Sequence, residues 1–145
     1  MYRSVNTAGI ISVALLLMLG CATSKAKGPT PQEQITAAMQ EFKAAWEARD
    51  VNRILACYAP DYRYSDGSDL TELRQFAERA KEMSDLHIEV PLDDMQITMQ
   101  ENIGLVRIRS RLSSPDRKGQ FLLDHRLRES DGKWLIFWSH AEEAD

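Results

Sequence analysis

The stretch that decides the fold is residues 105–112, LVRIRSRL, in which Val106, Ile108, Ser110 and Leu112 alternate with leucine and arginine. A period of two is typical of a β-strand, because successive side chains of a strand point to opposite faces of its sheet. The stretch therefore predicts a strand with one mostly apolar face and one basic face.

The same alternation recurs on both sides of this stretch, and turn sequences separate the copies. Glu101-Asn102, Ser114-Pro115-Asp116 and Ser130-Asp131-Gly132 are typical of turns between strands. The inward positions predicted for the other strands are Leu86, Ile88, Val90 and Leu92, then Met95, Ile97 and Met99, then Phe121, Leu123, His125 and Leu127, and finally Trp134, Ile136, Trp138 and His140. The second half of the chain is therefore predicted to be an antiparallel sheet.

Helical periodicity precedes the strands. Residues 30–33, TPQE, form a capping box with proline at the first helical position. Apolar side chains then follow at helical spacing, at Ile35, Met39, Phe42 and Trp46. The first helix is therefore expected to bury one face.

Two further helices are predicted before the strands begin. Asp50 can cap a short helix that includes Tyr58 and that Pro60 would end. Asp69 and Glu72 form the cap of the third, whose apolar side is Leu70, Leu73, Phe76, Ala77, Ala80 and Met83. Helices followed by strands favour an α+β domain, with three N-terminal helices packed on one face of a curved antiparallel sheet.

The N-terminus is predicted to be a targeting segment. Arg3 precedes an apolar run that stops at Gly20-Cys21, too short to cross a bilayer comfortably. The stop resembles a bacterial lipoprotein signal, in which the cysteine is lipidated. This divides the chain into a signal (1–20), a flexible tether (21–29) and a folded domain (30–145). Plain secretion with cleavage near Ala26, or a retained anchor, are the alternatives.

The resemblance to lipoprotein signals also implies a location. Ala22 follows the cysteine, where aspartate often signals retention in the inner membrane. We therefore expect a lipid-anchored protein of the bacterial cell envelope, attached to the outer membrane and facing the periplasm. The membrane is expected to be a partner only through this anchor.

Composition excludes several classes of protein. The chain has 145 residues, a formal net charge of −4 and 2 cysteines. The acidic balance argues against binding to nucleic acid. Two cysteines cannot build a disulfide framework or a four-thiolate zinc site. No serine nucleophile elbow, phosphate loop, paired-histidine zinc helix or dinucleotide glycine pattern occurs, so neither a metal nor a cofactor is predicted.

Three segments together carry a family resemblance. They are residues 42–50 (FKAAWEARD), residues 58–62 (YAPDY) and residues 127–136 (LRESDGKWLI). In their order and spacing they resemble the nuclear-transport-factor-2-like superfamily, which includes SnoaL-like and ketosteroid-isomerase-like domains. The resemblance spans residues 32–141. It implies a cone-shaped half-barrel against three helices, an open pocket and frequent dimerisation through the sheet, but no particular reaction.

The polar and aromatic residues predicted to face inward are the candidate ligand-binding groups. On the predicted strands these are Ser110, His125, Trp138 and His140, and the resemblance adds Tyr62 near the pocket. A neutral His125 among apolar neighbours could hydrogen-bond a ligand or act as a general base. The alternative for His125 is a structural histidine with one backbone or tyrosine partner.

No complete catalytic set is apparent in the sequence. Enzymes of the isomerase-like branch commonly use an inward aspartate, whereas Asp124 has the opposite strand phase to His125 and should face outward. Asp61 and Asp66 are explained by turns. Cys57 is interpreted as a small buried thiol. We therefore assign no catalytic residue.

A second candidate surface is the basic face of the sheet. Arg107, Arg109 and Arg111, with Arg126 and Arg128, would lie together on its outer side. They could bind an anionic envelope or cell-wall partner. The alternative is a solvated face balanced by Asp124 and Glu129, or by the acidic residues of a dimer partner.

The leading hypothesis is a non-catalytic envelope lipoprotein whose domain binds a small apolar or amphipathic ligand, or a partner protein. One alternative is a small-molecule isomerase or hydrolyase-like enzyme that uses His125 with Tyr62 or His140. A second alternative is a structural module that only dimerises. A homodimer is the expected oligomeric state.

Overall fold

The computed structural model describes residues 27–144. The predicted signal segment, the lipidation site Cys21 and most of the predicted tether lie outside these residues. Within residues 27–144, no helix is long and apolar enough to cross a membrane.

Within the described residues three helices precede the long strands, as predicted. They are α1 (Pro31–Ala48), α2 (Val51–Ala56) and α3 (Leu70–Glu82). Thr30 and Glu33 form the predicted capping box of α1, and Asp69 and Glu72 form that of α3. The Asp50 side chain accepts a hydrogen bond from the Arg53 backbone N–H and so caps α2. These caps satisfy backbone donors that a helix start leaves unpaired.

In this described part of the chain, six strands form one curved, unclosed sheet. They are β1 (Tyr58–Tyr64), β2 (His87–Glu89), β3 (Gln96–Gln100), β4 (Ile103–Ser114), β5 (Arg117–Ser130) and β6 (Lys133–Glu143). The strand order is β1-β6-β5-β4-β2, and β3 also pairs with β4. The α+β class with helices on a curved sheet is therefore as predicted, although β2 is shorter than the predicted alternation.

The first strand corrects two predictions. Tyr58 and Pro60 belong to β1 and not to α2, which ends at Ala56. β1 is an edge strand, it pairs in parallel with β6, and its register shifts between Tyr58 and Arg63. Proline is tolerated at an edge or a bulge because it cannot donate to the ladder. The sheet is thus not wholly antiparallel.

A bulge in β6 corrects a third prediction. Arg126 pairs with Trp138, but Leu127 pairs with Ile136, so Phe137 is an extra residue in the ladder. An extra residue exchanges the two faces of the strand beyond it. Trp134 and Ile136 are buried as predicted, but beyond the bulge the buried residue is Ser139. The inward phase predicted for Trp138 and His140 is therefore wrong.

Helix α1 packs along the concave face of the sheet and buries the predicted stripe. Ile35 and Met39 are fully buried, and Phe42 and Trp46 are nearly so. Near the start of α1, Gln34 Oε1 accepts a 2.8 Å hydrogen bond from Trp134 Nε1 at the start of β6. The N-terminal half of α1 therefore covers the end of the sheet where β4 and β6 begin.

The C-terminal end of α1 is tied to the elements around it. Glu47 accepts a 3.0 Å hydrogen bond from the Val90 backbone N–H, just after β2. Arg49, at φ 52°, ends the helix, and its guanidinium donates to the Ala80 and Met83 carbonyls at the end of α3. These bonds tie the C-terminal end of α1 to the segment after β2 and to the end of α3.

Candidate functional site

A cavity of about 690 Å³ lies between α1, α3 and the concave face of the sheet. Apolar and aromatic side chains make up most of its wall. They include Phe42, Trp46, Tyr58, Leu73, Phe76, Met83, Ile88, Leu112, Phe121 and Leu123. The cavity opens to solvent beside α3, where Phe76 is 47% and Met83 50% exposed. Both side chains belong to the predicted apolar side of α3, where they form an apolar lip at the mouth.

The inner end of the cavity is a cluster of aromatic rings. The Phe42 ring lies 6.3 Å from those of Trp46 and Tyr58, and 5.0 Å from the imidazole of His125. Tyr58 and Tyr62 meet edge to face with centroids 4.7 Å apart. Tilted and edge-to-face contacts are the favoured aromatic geometries, so this end of the cavity is well defined.

His125 is held in place by one side-chain hydrogen bond. Its Nδ1 lies 2.7 Å from Ser139 Oγ, and its Nε2 has no hydrogen-bond partner among the described residues. The two residues pair across β5 and β6. The bulge at Phe137 therefore brings the Ser139 hydroxyl to the imidazole.

Burial sets the protonation state of these groups. It lowers the pKa of His125 to about 4, although the nearby Asp124 carboxylate opposes this. It raises the pKa of the Tyr62 phenol, which the Ser139 hydroxyl opposes. A charged form is costly in a low-dielectric interior. At neutral pH the imidazole is therefore uncharged and the phenol protonated.

Ionisable groups lie nearer the mouth. Asp69 and Glu72 line the cavity, but both carboxylates accept backbone hydrogen bonds in the cap of α3. Arg79 and Arg117 also line it, from α3 and the start of β5, and both residues are exposed. The charged groups of the site are thus confined to its entrance.

Three of the five predicted site residues line the cavity as buried groups. Tyr62 and His125 lie at its inner end and Ser110 further out. On β4 it is Val106 that pairs with His125, so Ser110 is about 13 Å along the strand from that row. The structure therefore brings Tyr62 and His125 together but not Ser110. Whether these residues bind a ligand stays a prediction.

The other two predicted residues lie beyond the bulge in β6, with strand phase opposite to that of Ser139. Arg126 lies 4.4 Å over the Trp138 ring. The Trp138 and His140 rings stack with centroids 6.2 Å apart. His140 borders the cavity near its mouth, with Nδ1 2.9 Å from Ser65 Oγ. The bulge gives both side chains this phase.

Ser139 is a site residue that the sequence analysis missed, and Tyr58 is one that it placed on the wrong element. Tyr58 was assigned to a helix, whereas it opens β1 and lines the cavity. Ser139 was placed on the outer face. The stretch Leu135-Ile-Phe-Trp-Ser139 contains no glycine or proline. Local sequence therefore gave no signal for the bulge.

The grouping of possible metal ligands and the state of the Cys57 thiol bear on metal and thiol chemistry. Within residues 27–144, no three histidine, cysteine, aspartate or glutamate side chains are grouped to hold a metal ion. Burial raises the pKa of the Cys57 thiol to about 11. Its Sγ donates to the Arg53 carbonyl at 3.4 Å. A protonated thiol in this position is a poor nucleophile.

The predicted basic face exists on the outer side of the sheet, but its arginines have partners. Arg107 forms a two-pronged ion pair with Asp124, which lies outward as predicted. The other contacts are Arg109 with Gln120, Arg111 with Glu89, Arg128 with Asp61, and Arg126 with Trp138. Much of the positive charge is therefore neutralised within the protein.

Sequence comparison gives no relatives. No protein-family profile matches the chain, and no curated protein matches it.

Comparison of structures does find proteins of similar fold. Bd1075 of Bdellovibrio bacteriovorus superposes with a TM-score of 0.68 at 14% identity, over 77% of this chain and 40% of that one. A candidate dehydratase of the NTF2-like family from Streptomyces avermitilis gives 0.67 at 16% identity, over 80% and 99%. An NTF2-like protein of unknown function from Pseudomonas putida gives 0.62 at 18% identity, over 74% and 82%. This chain spans less than half of Bd1075.

Proposed function

The chain has the NTF2-like fold, and we propose that it uses this fold to bind one small, mostly apolar molecule without transforming it. The observation that carries the proposal is the cavity of about 690 Å³ with its mostly apolar wall. Concave, mostly apolar cavities with a few fixed polar groups are the usual form of small-molecule sites. The fold alone is compatible with either binding or catalysis.

The arrangement of ionisable groups supports binding over catalysis. General acid–base chemistry needs groups whose pKa values lie near the working pH. The pKa of His125 is about 4, and its hydrogen-bond partner is a serine. The carboxylates of Asp69 and Glu72 are engaged in capping α3. The inner end of the cavity therefore holds uncharged hydrogen-bonding groups.

Displacement of a fluorescent apolar probe tests this proposal. Leu112→Trp would fill part of the cavity from β4, because Leu112 lines it. Arg111→Trp is the matched control, since the neighbouring side chain lies on the outer face. We expect the wild type and Arg111→Trp to bind the probe and Leu112→Trp to lose at least tenfold in affinity. Equal binding by all three would contradict the proposal.

A second candidate function is a hydrolyase-like or isomerase reaction that uses His125 as base. The observation that favours it is the proximity of His125, Ser139 and Tyr62, together with the structural similarity to a candidate dehydratase. Turnover in a substrate screen that disappears in His125→Gln would support this function. Turnover retained in that variant would remove His125 from it.

We further propose that the chain is anchored in the bacterial envelope through Cys21. The apolar run before Gly20-Cys21 supports this. α1 begins at the end of the sheet opposite the cavity mouth and is about 27 Å long. The mouth would then face away from the membrane. An intact mass that lacks acyl groups on protein extracted from its host would contradict the anchor.

A further inference from the structure

We propose that the ligand is an amphiphile with one apolar chain and one anionic head group, a carboxylate or a phosphate ester, and that Arg79 and Arg117 hold this head group at the mouth of the cavity. This inference rests on the proposed binding function and names the class of ligand. It follows from where the charged side chains lie along the cavity wall.

The two arginines come from different elements but lie at the same end of the cavity. Arg79 is in the last turn of α3, and its carbonyl accepts a 3.2 Å hydrogen bond from the Met83 backbone N–H. The chain then turns into β2, whose first residue pairs with Ser113 of β4. Arg117 begins β5 and pairs with Ser114, the next residue of β4. Both arginines line the cavity from this end, where one head group can contact both guanidinium groups.

Among the described residues, neither arginine has an acidic partner. The ion pairs within residues 27–144 involve other cations, among them Arg107, Arg111 and Arg128 on the outer face of the sheet. Arg79 and Arg117 are exposed, and in this part of the chain neither guanidinium lies within ion-pair distance of a carboxylate. Their positive charge is therefore available to an anionic group that comes from outside the protein.

The mouth combines this charge with exposed apolar surface. Phe76 lies three residues before Arg79 and Met83 four residues after it, so the three side chains share one face of α3. Phe76 is 47% and Met83 50% exposed, and both line the cavity. Large apolar side chains that water contacts are costly to leave uncovered. An amphiphile covers the apolar lip with its chain and reaches the arginine with its head group.

The carboxylates of the cavity wall lie at the other end of α3. Asp69 caps the start of the helix, ten residues before Arg79, which corresponds to about 15 Å along the helix axis. The Asp69 and Glu72 carboxylates accept hydrogen bonds from backbone N–H groups in this cap. An anionic head group at Arg79 is therefore kept apart from the acidic end of the mouth.

The inner end of the cavity suits the apolar chain. Its wall includes the rings of Phe42, Trp46 and Tyr58. His125, the titratable base at this end, is uncharged at neutral pH because burial lowers its pKa to about 4. An anion buried there would lack a counter-charge, which is costly. The chain of the ligand therefore points inward and the head group outward.

Four probes with one chain length test the proposal. Decanoate and decyl phosphate carry anionic head groups, 1-decanol carries an uncharged one, and decylammonium carries a positive one. Titration calorimetry of the full chain at pH 7.5 and low salt measures each affinity. We expect one or both anions to bind about fivefold or more tightly than decanol, as two partly exposed charge pairs allow, and decylammonium to bind most weakly. The tighter of the two anions identifies the head group.

Variants assign the preference to the two arginines. Arg79→Gln with Arg117→Gln should abolish the preference for an anion and leave the affinity for decanol unchanged. Lys81→Gln with Lys118→Gln is the matched control, because it removes the same charge from exposed neighbours that are not part of the described cavity wall, and it should keep the wild-type preference. The carboxyl pKa of bound, isotope-labelled decanoate, measured by NMR, should be lower in the wild type than in the double arginine variant, because a nearby positive charge favours the ionised form.

The other outcomes distinguish the two proposals. An affinity for decanol equal to or above that for both anions would overturn the inference but leave the binding function intact, and so would an anion preference that survives in the double arginine variant. Tightest binding of decylammonium would also overturn it and would place the head group at Asp69 and Glu72. Failure of all four probes to bind would contradict the inference and the proposed function together.

Discussion

At the scale of single residues, His125 makes the stability of the fold depend on pH. Its pKa is about 4 in the folded protein, against about 6.5 in an unfolded chain. The unfolded state therefore binds more protons between these values, and the free energy of unfolding falls as the pH is lowered through this window. We expect His125 to account for a loss of about 2 kcal/mol between pH 7 and pH 4.5.

Urea unfolding of matched variants isolates this effect. His125→Gln should remove the contribution, so its free energy of unfolding changes less between the two pH values than that of the wild type. His87→Gln alters an exposed histidine and should keep the wild-type dependence. Identical pH dependence in all three proteins would contradict the buried, uncharged state of His125.

Single residues also show where sequence reasoning succeeded and where it failed. Alternation placed Ser110 and His125 on the inward face of the sheet, because β4 and β5 pair without interruption from Ile103 to Ser114. One extra residue at Phe137 reversed the prediction for Trp138 and His140. A bulge depends on pairing with a neighbouring strand. Periodicity within one segment therefore cannot reveal it.

At the scale of elements, the packing of α1 on β4 depends on a glycine. A Cβ built on Gly104 would lie 2.5 Å from Ile35 Cδ1, and Ile35 is fully buried. Gly104→Ala should therefore destabilise the protein by about 1–3 kcal/mol, the usual cost of overpacking a core. Urea unfolding measures the change. Gly28→Ala, which would meet nothing within 4 Å, is the control.

A second substitution tests whether the collision of the new methyl group with Ile35 causes the loss of stability. Ile35→Val removes the Cδ1 atom with which the new methyl group collides. In the Gly104→Ala background it should recover part of the lost stability, whereas alone it should destabilise by about 1 kcal/mol. Additive losses in the double variant would show that the helix does not approach the strand as closely as the structure has it.

Helices and strands were otherwise predictable from local signals. The capping boxes at Thr30 and Asp69 gave the starts of α1 and α3 correctly. β1 was harder to predict because it contains Pro60, and a proline commonly ends a helix or a central strand. It forms a strand because it lies at the sheet edge, where a missing N–H and a register shift are tolerated.

At the scale of the whole molecule, the basic outer face of the sheet is separate from the cavity, and much of its charge is paired within the protein. Arg107 and Asp124 neutralise each other, and the Arg107 guanidinium lowers the pKa of Asp124. We therefore expect Arg107→Glu with Arg109→Glu to leave co-sedimentation with envelope material unchanged. Loss of co-sedimentation would instead indicate an anionic partner at this face, provided that the variant remains folded by circular dichroism.

The fold itself was predictable from the order of its elements, whereas its use was not. Helices followed by alternating strands, and the three segments that resemble the nuclear-transport-factor-2-like superfamily, led to the observed α+β architecture. The size of the cavity depends on how far α3 stands from the sheet. The place of α3 depends on tertiary contacts such as those of Arg49 with its end, which no single segment encodes.

The central claim is that the cavity holds a small, mostly apolar molecule. Native mass spectrometry of the full chain, isolated gently from its own host, tests this most directly. We expect one reproducible extra mass per subunit, absent in Leu112→Trp and retained in Arg111→Trp. Protein that carries no extra mass in the wild type, and takes up none when incubated with a lipid extract of its host, would contradict it.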